Sequence, residues 1–128
     1  MGKPRILVVD DEPDVVEVIE RALESEQFEV IPAYDGLSAL DLAESEGPDL
    51  ILLDIMMPMM SGYEVIEQLK VNPQTQRIPV VCLTSAHTVD ARARCKQAGA
   101  TALVMKPFSP AELVAQIRRY LPAGDEPR

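Results

Sequence analysis

Four short segments of this chain end in residues that could together handle a phosphoryl group. Asp10 and Asp11 close the apolar run Ile6-Leu7-Val8-Val9, and Asp54 closes Leu50-Ile51-Leu52-Leu53. Thr84-Ser85 closes Val80-Val81-Cys82-Leu83, and Lys106 closes Ala102-Leu103-Val104-Met105. Three carboxylates held close repel one another, so at least one pKa rises unless a cation neutralises them. Mg²⁺ (or Mn²⁺ in its place) takes oxygen ligands and suits one or two carboxylates plus a phosphoryl oxygen. Lys106 adds a point charge for one phosphoryl oxygen, and the Thr84 hydroxyl is a donor for another. Asp54 supplies a nucleophilic carboxylate, whose attack on phosphorus gives an acyl phosphate. Phosphoryl transfer has a loose transition state, so positioning and charge neutralisation are most of its catalysis.

The order of elements decides whether these residues meet. Ile6–Val9 reads as a strand buried on both faces. A helical pattern follows, with Val15, Val16, Val18, Ile19, Ala22 and Leu23 on one face and Pro13 in the first turn. Glu29–Ala33 is a second strand, and Gly36 opens a second helix that stops near Gly47-Pro48. Leu50–Leu53 is the third strand, ending at Asp54, and 55–61 is a loop. Gly62–Leu69 is a third helix, Pro79–Leu83 a fourth strand, and Val89–Ala98 a fourth helix with Gly99 as its C′ residue. Ala102–Met105 is a weaker fifth strand; Ser109 caps a last helix, Pro110–Leu121, with Pro110 at its first position. Five βα units predict an α/β fold, a parallel sheet with helices on both faces and right-handed crossovers. In such a doubly wound sheet, ligands sit beyond the carboxyl ends of the strands, where all four segments terminate.

Composition narrows the function classes. A chain of 128 residues fits one domain, expected over 1–121, with 122–128 a short polar tail or the start of a linker. The net charge of −9 argues against a direct nucleic-acid surface and agrees with binding a cation. No apolar run approaches the length of a membrane span, and the start Met1-Gly2-Lys3-Pro4 carries no signal peptide, so a soluble, cytoplasmic protein is expected. Cys82 and Cys95 match no metal or redox spacing; Cys82 reads as a small buried hydrophobe, and a reducing compartment is the simpler expectation.

The four segments, in this order and at this spacing, resemble the receiver domain of bacterial two-component response regulators. The matching stretches are Ile6-Leu7-Val8-Val9-Asp10-Asp11-Glu12, Asp54-Ile55-Met56-Met57-Pro58 followed by Gly62, Leu83-Thr84-Ser85, and Lys106-Pro107-Phe108. Thr84 lies 30 residues after Asp54, and Lys106 lies 22 after Thr84. The resemblance covers roughly residues 4–121. It implies a flavodoxin-like (βα)5 sheet of strand order 2-1-3-4-5. It also implies phosphorylation of Asp54 by a histidine kinase or histidine phosphotransfer protein, and a conformational switch that acts on a downstream protein or an attached output domain. By the same resemblance Asp11, Asp54 and the backbone carbonyl of Met56 bind the metal, with Asp10 acting through a water. Lys106 contacts the phosphoryl group, Thr84 is the switch residue, and the Lys106-Pro107 bond is cis. Such a domain is no enzyme beyond its own phosphorylation and slow self-dephosphorylation. The expected state is a monomer or a weak phosphorylation-dependent dimer.

Several residues take plainer readings. Glu12 is expected as a helix-start acid. The cluster Met56-Met57-Pro58-Met59-Met60 is expected to pack the loop, and His87, the one histidine, is expected to be solvated. Arg92, Arg94, Lys96, Arg118 and Arg119 are expected on solvated helix faces, with a docking surface as the sharper alternative. Two features depart from the family pattern. Leu103 stands where an aromatic is usual, and Gly99-Ala100-Thr101-Ala102 lacks the acids of a common dimer class. Met56 and Ala86 flank the acceptor without a side chain that orients water well, so slow dephosphorylation is expected. A flavodoxin-like electron carrier would need a hydroxyl- and glycine-rich phosphate loop where Asp10-Asp11-Glu12 stands. An Asp-nucleophile phosphatase would need a second acid where Met56 stands.

Overall fold

A computed structural model describes residues 2–85 and 89–121. The elements are β1 (Arg5–Val9), α1 (Pro13–Ser25), β2 (Glu29–Ala33), α2 (Gly36–Glu46), β3 (Leu50–Asp54), α3 (Gly62–Val71), β4 (Val80–Thr84), α4 (Val89–Ala98), β5 (Ala102–Met105) and α5 (Pro110–Tyr120). The strands form one parallel sheet of order β2-β1-β3-β4-β5. Every residue of β3 and β4 is buried, as continuous apolar runs in the middle of a two-sided sheet must be.

Side-chain alternation splits the core into two layers. Ile6 and Val8 of β1, Leu50 and Leu52 of β3, and Val81 and Leu83 of β4 face Val16, Ile19 and Leu23 of α1 and Leu113, Val114 and Ile117 of α5. Leu7, Val9, Ile51, Leu53, Val80 and Cys82 face α2, α3 and α4 on the other side. Cys82 is fully buried in that second layer, as expected for a small hydrophobe, and Cys95 of α4 is buried beside it. Burial first, and Cys95 after it, push the Cys82 thiol above its ordinary pKa, so it stays protonated.

Local chemistry fixes where the helices begin and end. Pro13 and Pro110 open α1 and α5. Asp35 caps α2 by accepting from the Ser38 N–H at 2.7 Å. Ser61 and Ser109 form capping boxes with Glu64 and Glu112. Gly47 and Gly99 leave α2 and α4 with φ of 55° and 113°, the left-handed region that glycine enters without strain. The third helix runs one turn-fraction beyond the expected Leu69, to Val71, before Asn72 leaves the helical conformation. Of the side chains described in α4, only the small Ala91, Cys95 and Ala98 are buried. Among the described side chains α4 is thus anchored by small residues, as α2 is by Gly36, Ala39 and Ala43. No helix among the described residues is long and apolar enough to cross a membrane.

Candidate functional site

Parallel register brings the chemistry to one edge. Val9 is aligned with Leu53, so Asp10 and Asp54 follow on neighbouring strands. Thr84 is aligned with Met105, and the Lys106 N–H donates to the Thr84 carbonyl at 2.8 Å. Asp10, Asp54 and Thr84 are all buried, and Lys106 reaches in from the rim.

Lys106 bridges two of the carboxylates. Its Nζ lies 3.1 Å from Asp10 Oδ2 and 3.6 Å from Asp54 Oδ2. The other oxygens are held by backbone: the Glu12 N–H donates to Asp10 Oδ1 at 3.0 Å, and the Met56 N–H donates to Asp54 Oδ1 at 3.1 Å. The Lys106-Pro107 bond is cis, as the resemblance implied. Burial opposes the charge on Lys106, but Asp54 and Asp10 outweigh it and hold the ammonium pKa above its ordinary value. Asp54 moves the other way for a carboxylate. Burial first, then the Asp10 charge, raise its pKa from 3.8 to about 6, against the Met56 N–H and Lys106, which lower it.

One lysine does not neutralise this many acids. Carboxylate oxygens of Asp10, Asp11 and Glu12 lie within 4.8 Å of one another, and Asp11 and Glu12 are the more open of the three. Hard oxygen donors beside Asp54, whose charge is opposed by burial first and by Asp10 second, are the donor chemistry that a divalent cation such as Mg²⁺ fits. Glu12, expected only as a helix-start acid, belongs to this cluster as well, and it gives α1 no side-chain cap.

Other expectations fare unevenly. Met57 is buried and Met60 packs against Gly36, as loop packing requires. Met56 and Met59 instead face solvent, with Met59 fully exposed at φ 70°. Exposure of a methionine depends on which way a loop residue points, which residue type does not encode. Arg118 pairs with Glu26 at 3.0 Å, and Arg94 lies over the Tyr63 ring; the basic residues of the last two helices are thus partly tied down. Leu103 is half-buried against the α2–α3–α4 layer. Ala86 and His87 lie outside the described residues, as does the tail 122–128.

One feature carried no sequence signal. An open, mostly apolar groove of about 510 Å³ runs beside Lys106, between Val15, Val18 and Ile19 of α1 and the turn Lys106-Pro107-Phe108. It joins segments some ninety residues apart, and Val18, which reads as an ordinary core-face residue, is 62% exposed there.

Residues 6–118 match the family described as response regulator receiver domain. The chain is 39% identical over 127 residues to a probable transcriptional regulator, ycf27, of Cyanophora paradoxa, covering 99% of this chain and 52% of the relative. It is 42% identical over 118 residues to the transcriptional regulatory protein PrrA of Mycobacterium tuberculosis, covering 92% and 50%. Among solved structures, the chemotaxis protein CheY4 of Vibrio cholerae superposes with a TM-score of 0.90 at 30% identity, covering 94% of this chain and 100% of that one. The chain spans about half the length of these curated regulators.

Proposed function

The chain belongs to the response regulator receiver domain family, and from that premise we propose that Asp54 accepts a phosphoryl group in a reaction supported by a divalent cation. The observation that carries this reading is the buried Asp54 carboxylate, 3.6 Å from Lys106 and pushed toward the protonated form by burial and by Asp10. An oxygen of Asp54 attacks phosphorus of a donor phosphohistidine. The O–P bond forms, the N–P bond breaks, and the imidazole takes back its electron pair and a proton from solvent. Lys106 lies close enough to shift from the carboxylates to a phosphoryl oxygen. Thr84, one strand over, is the hydroxyl that closes on a second oxygen. Asp11, Asp54 and the Met56 carbonyl would hold Mg²⁺ or Mn²⁺, with Asp10 acting through a water. Bound there, the cation would neutralise both the carboxylates and the incoming phosphoryl oxygens.

The proposed donors are a histidine kinase or a histidine phosphotransfer protein. The groove beside Lys106 offers such a donor an apolar floor next to the acceptor. Residues 1–121 form the phosphoacceptor unit, and its switched state controls a separate partner or an attached output domain. Incubation with a small acyl phosphate and Mg²⁺, followed by intact mass measurement, tests the reading. Wild type is expected to gain one phosphoryl mass and lose it over minutes or longer, and Asp54→Ala to gain none. Equal gain by the variant, or none by wild type, rejects it.

A further inference from the structure

A phosphoryl group on Asp54 can control a partner only if its presence is felt elsewhere on the surface. We propose that Tyr63 and Arg94, stacked across the junction of α3 and α4, form the contact that carries the state of Asp54 to α4. The inference rests on the function proposed above and adds the route by which that site is read out.

The first half of the route is backbone. The Gly62 N–H donates to the Ile55 carbonyl at 3.0 Å. A Cβ added at Gly62 would lie 2.6 Å from Ile55 Cα and 2.8 Å from the Asp54 carbonyl oxygen. The first turn of α3 therefore rests directly on the peptide of Asp54 and Ile55, and only glycine permits that approach. A shift of this backbone is passed to the next residue, Tyr63.

The second half is side chain. The chain has five aromatic residues, two Phe and three Tyr. Phe28, Phe108 and Tyr120 belong to the α1–α5 layer, and Tyr34 is 46% exposed. Tyr63 is the aromatic of the α2–α3–α4 layer, where it joins the cluster that holds Cys82, Cys95 and Leu103. The Arg94 guanidinium sits 4.0 Å from its ring centroid. Burial chiefly, then Cys95, raises the phenol pKa above its ordinary value against the pull of Arg94, so a neutral ring faces the cation. Among the described residues Arg94 makes no ion pair, so this stacking is its principal tether.

Anchorage makes the contact count. The side chains described in α4 bury only Ala91, Cys95 and Ala98. Among the described residues these are smaller side chains than Val65, Ile66 and Leu69 of α3, so less apolar area holds α4 than α3, and local opening favours such a helix. The ring–cation contact adds a directed tether between α4 and α3 beside that packing. Tyr63 moving with the Asp54 loop would release or tighten that helix.

Hydrogen exchange of the α4 amides, with and without beryllium fluoride plus Mg²⁺ as a phosphoryl analogue, tests the route. In wild type the analogue is expected to change α4 exchange by about fivefold or more, the low end of ordinary coupling between sites. Arg94→Ala and Tyr63→Leu are expected to lose most of that change. Arg94→Lys and Tyr63→Phe, which keep the cation and the ring, are expected to retain it. All four variants are expected to gain phosphoryl mass from a small acyl phosphate as wild type does, which separates a broken relay from a broken acceptor. The proposal is overturned if Arg94→Ala and Tyr63→Leu respond like wild type, or if wild type gains phosphoryl mass with no change in α4. Failure of wild type to gain the mass rejects the acceptor reading itself, and the relay with it.

Discussion

Folding works against the charge of Asp54. Its pKa rises from 3.8 to about 6, by burial first and the Asp10 charge second. Native protein thus binds this proton more tightly than the unfolded chain does. Without a divalent cation, the contribution of Asp54 to stability should fall as the pH rises from about 4 to about 6, then level off, with the loss on the order of 3 kcal/mol. Asp54→Asn removes the charge, while Lys106 keeps its 3.1 Å bond to Asp10. The variant should therefore be more stable than metal-free wild type at pH 7 and equal to it near pH 4. Urea unfolding across that range measures both. An advantage of Asp54→Asn over metal-free wild type that does not grow between pH 4 and 7 would contradict the account. At this scale the residue identities were legible in the sequence, since Asp10, Asp11, Asp54, Thr84 and Lys106 each close an apolar run. The inclusion of Glu12 in the acidic cluster and the Met56 N–H bond to Asp54 were not, because both depend on how the chain turns after a strand.

At the scale of elements, the short turn between β3 and α3 is the critical joint. Gly62 opens α3 against the backbone of Ile55 and Asp54. Alanine is the better helix former by about 1 kcal/mol, yet the added methyl here meets backbone atoms that cannot swing aside. Gly62→Ala should cost about 1–3 kcal/mol in total stability, as overpacking does. It should also displace the acceptor loop, so that phosphorylation slows together with the loss of stability. Thermal unfolding and the phosphorylation rate give the two readings, and an alanine variant more stable than wild type would contradict the packing described. Strand and helix positions were legible from periodicity and punctuation: β2, α4 and β5 have the expected bounds, and Ser109 caps α5 as expected. Contacts between helices were not. Arg94 reads as one more basic residue on a solvated face, and nothing local in the sequence places Tyr63 beneath it.

For the whole molecule, the five βα units and their parallel order followed from the alternation of apolar runs with helical patterns, and the sheet carries every strand-end group to one edge. The groove beside Lys106 was invisible for the same topological reason, being made by α1 and a turn brought together only in the folded chain. A molecule of net charge −9 gains stability from any added salt through screening of self-repulsion, so a bound cation must be told apart from ionic strength. At pH 7, MgCl₂ should raise the unfolding temperature more than NaCl of equal ionic strength, by an amount that grows with the logarithm of its concentration. Asp11→Asn should erase that difference, and equal effects of the two salts in wild type would argue against a site. The claim on which the rest depends is that Asp54, and not one of its acidic neighbours, forms the acyl phosphate. Borohydride reduces an aspartyl phosphate to homoserine, which peptide mass mapping then locates in protein phosphorylated with Mg²⁺ and a small acyl phosphate. The account predicts homoserine at position 54; homoserine at position 10 or 11 instead, or at none of the three, would contradict it.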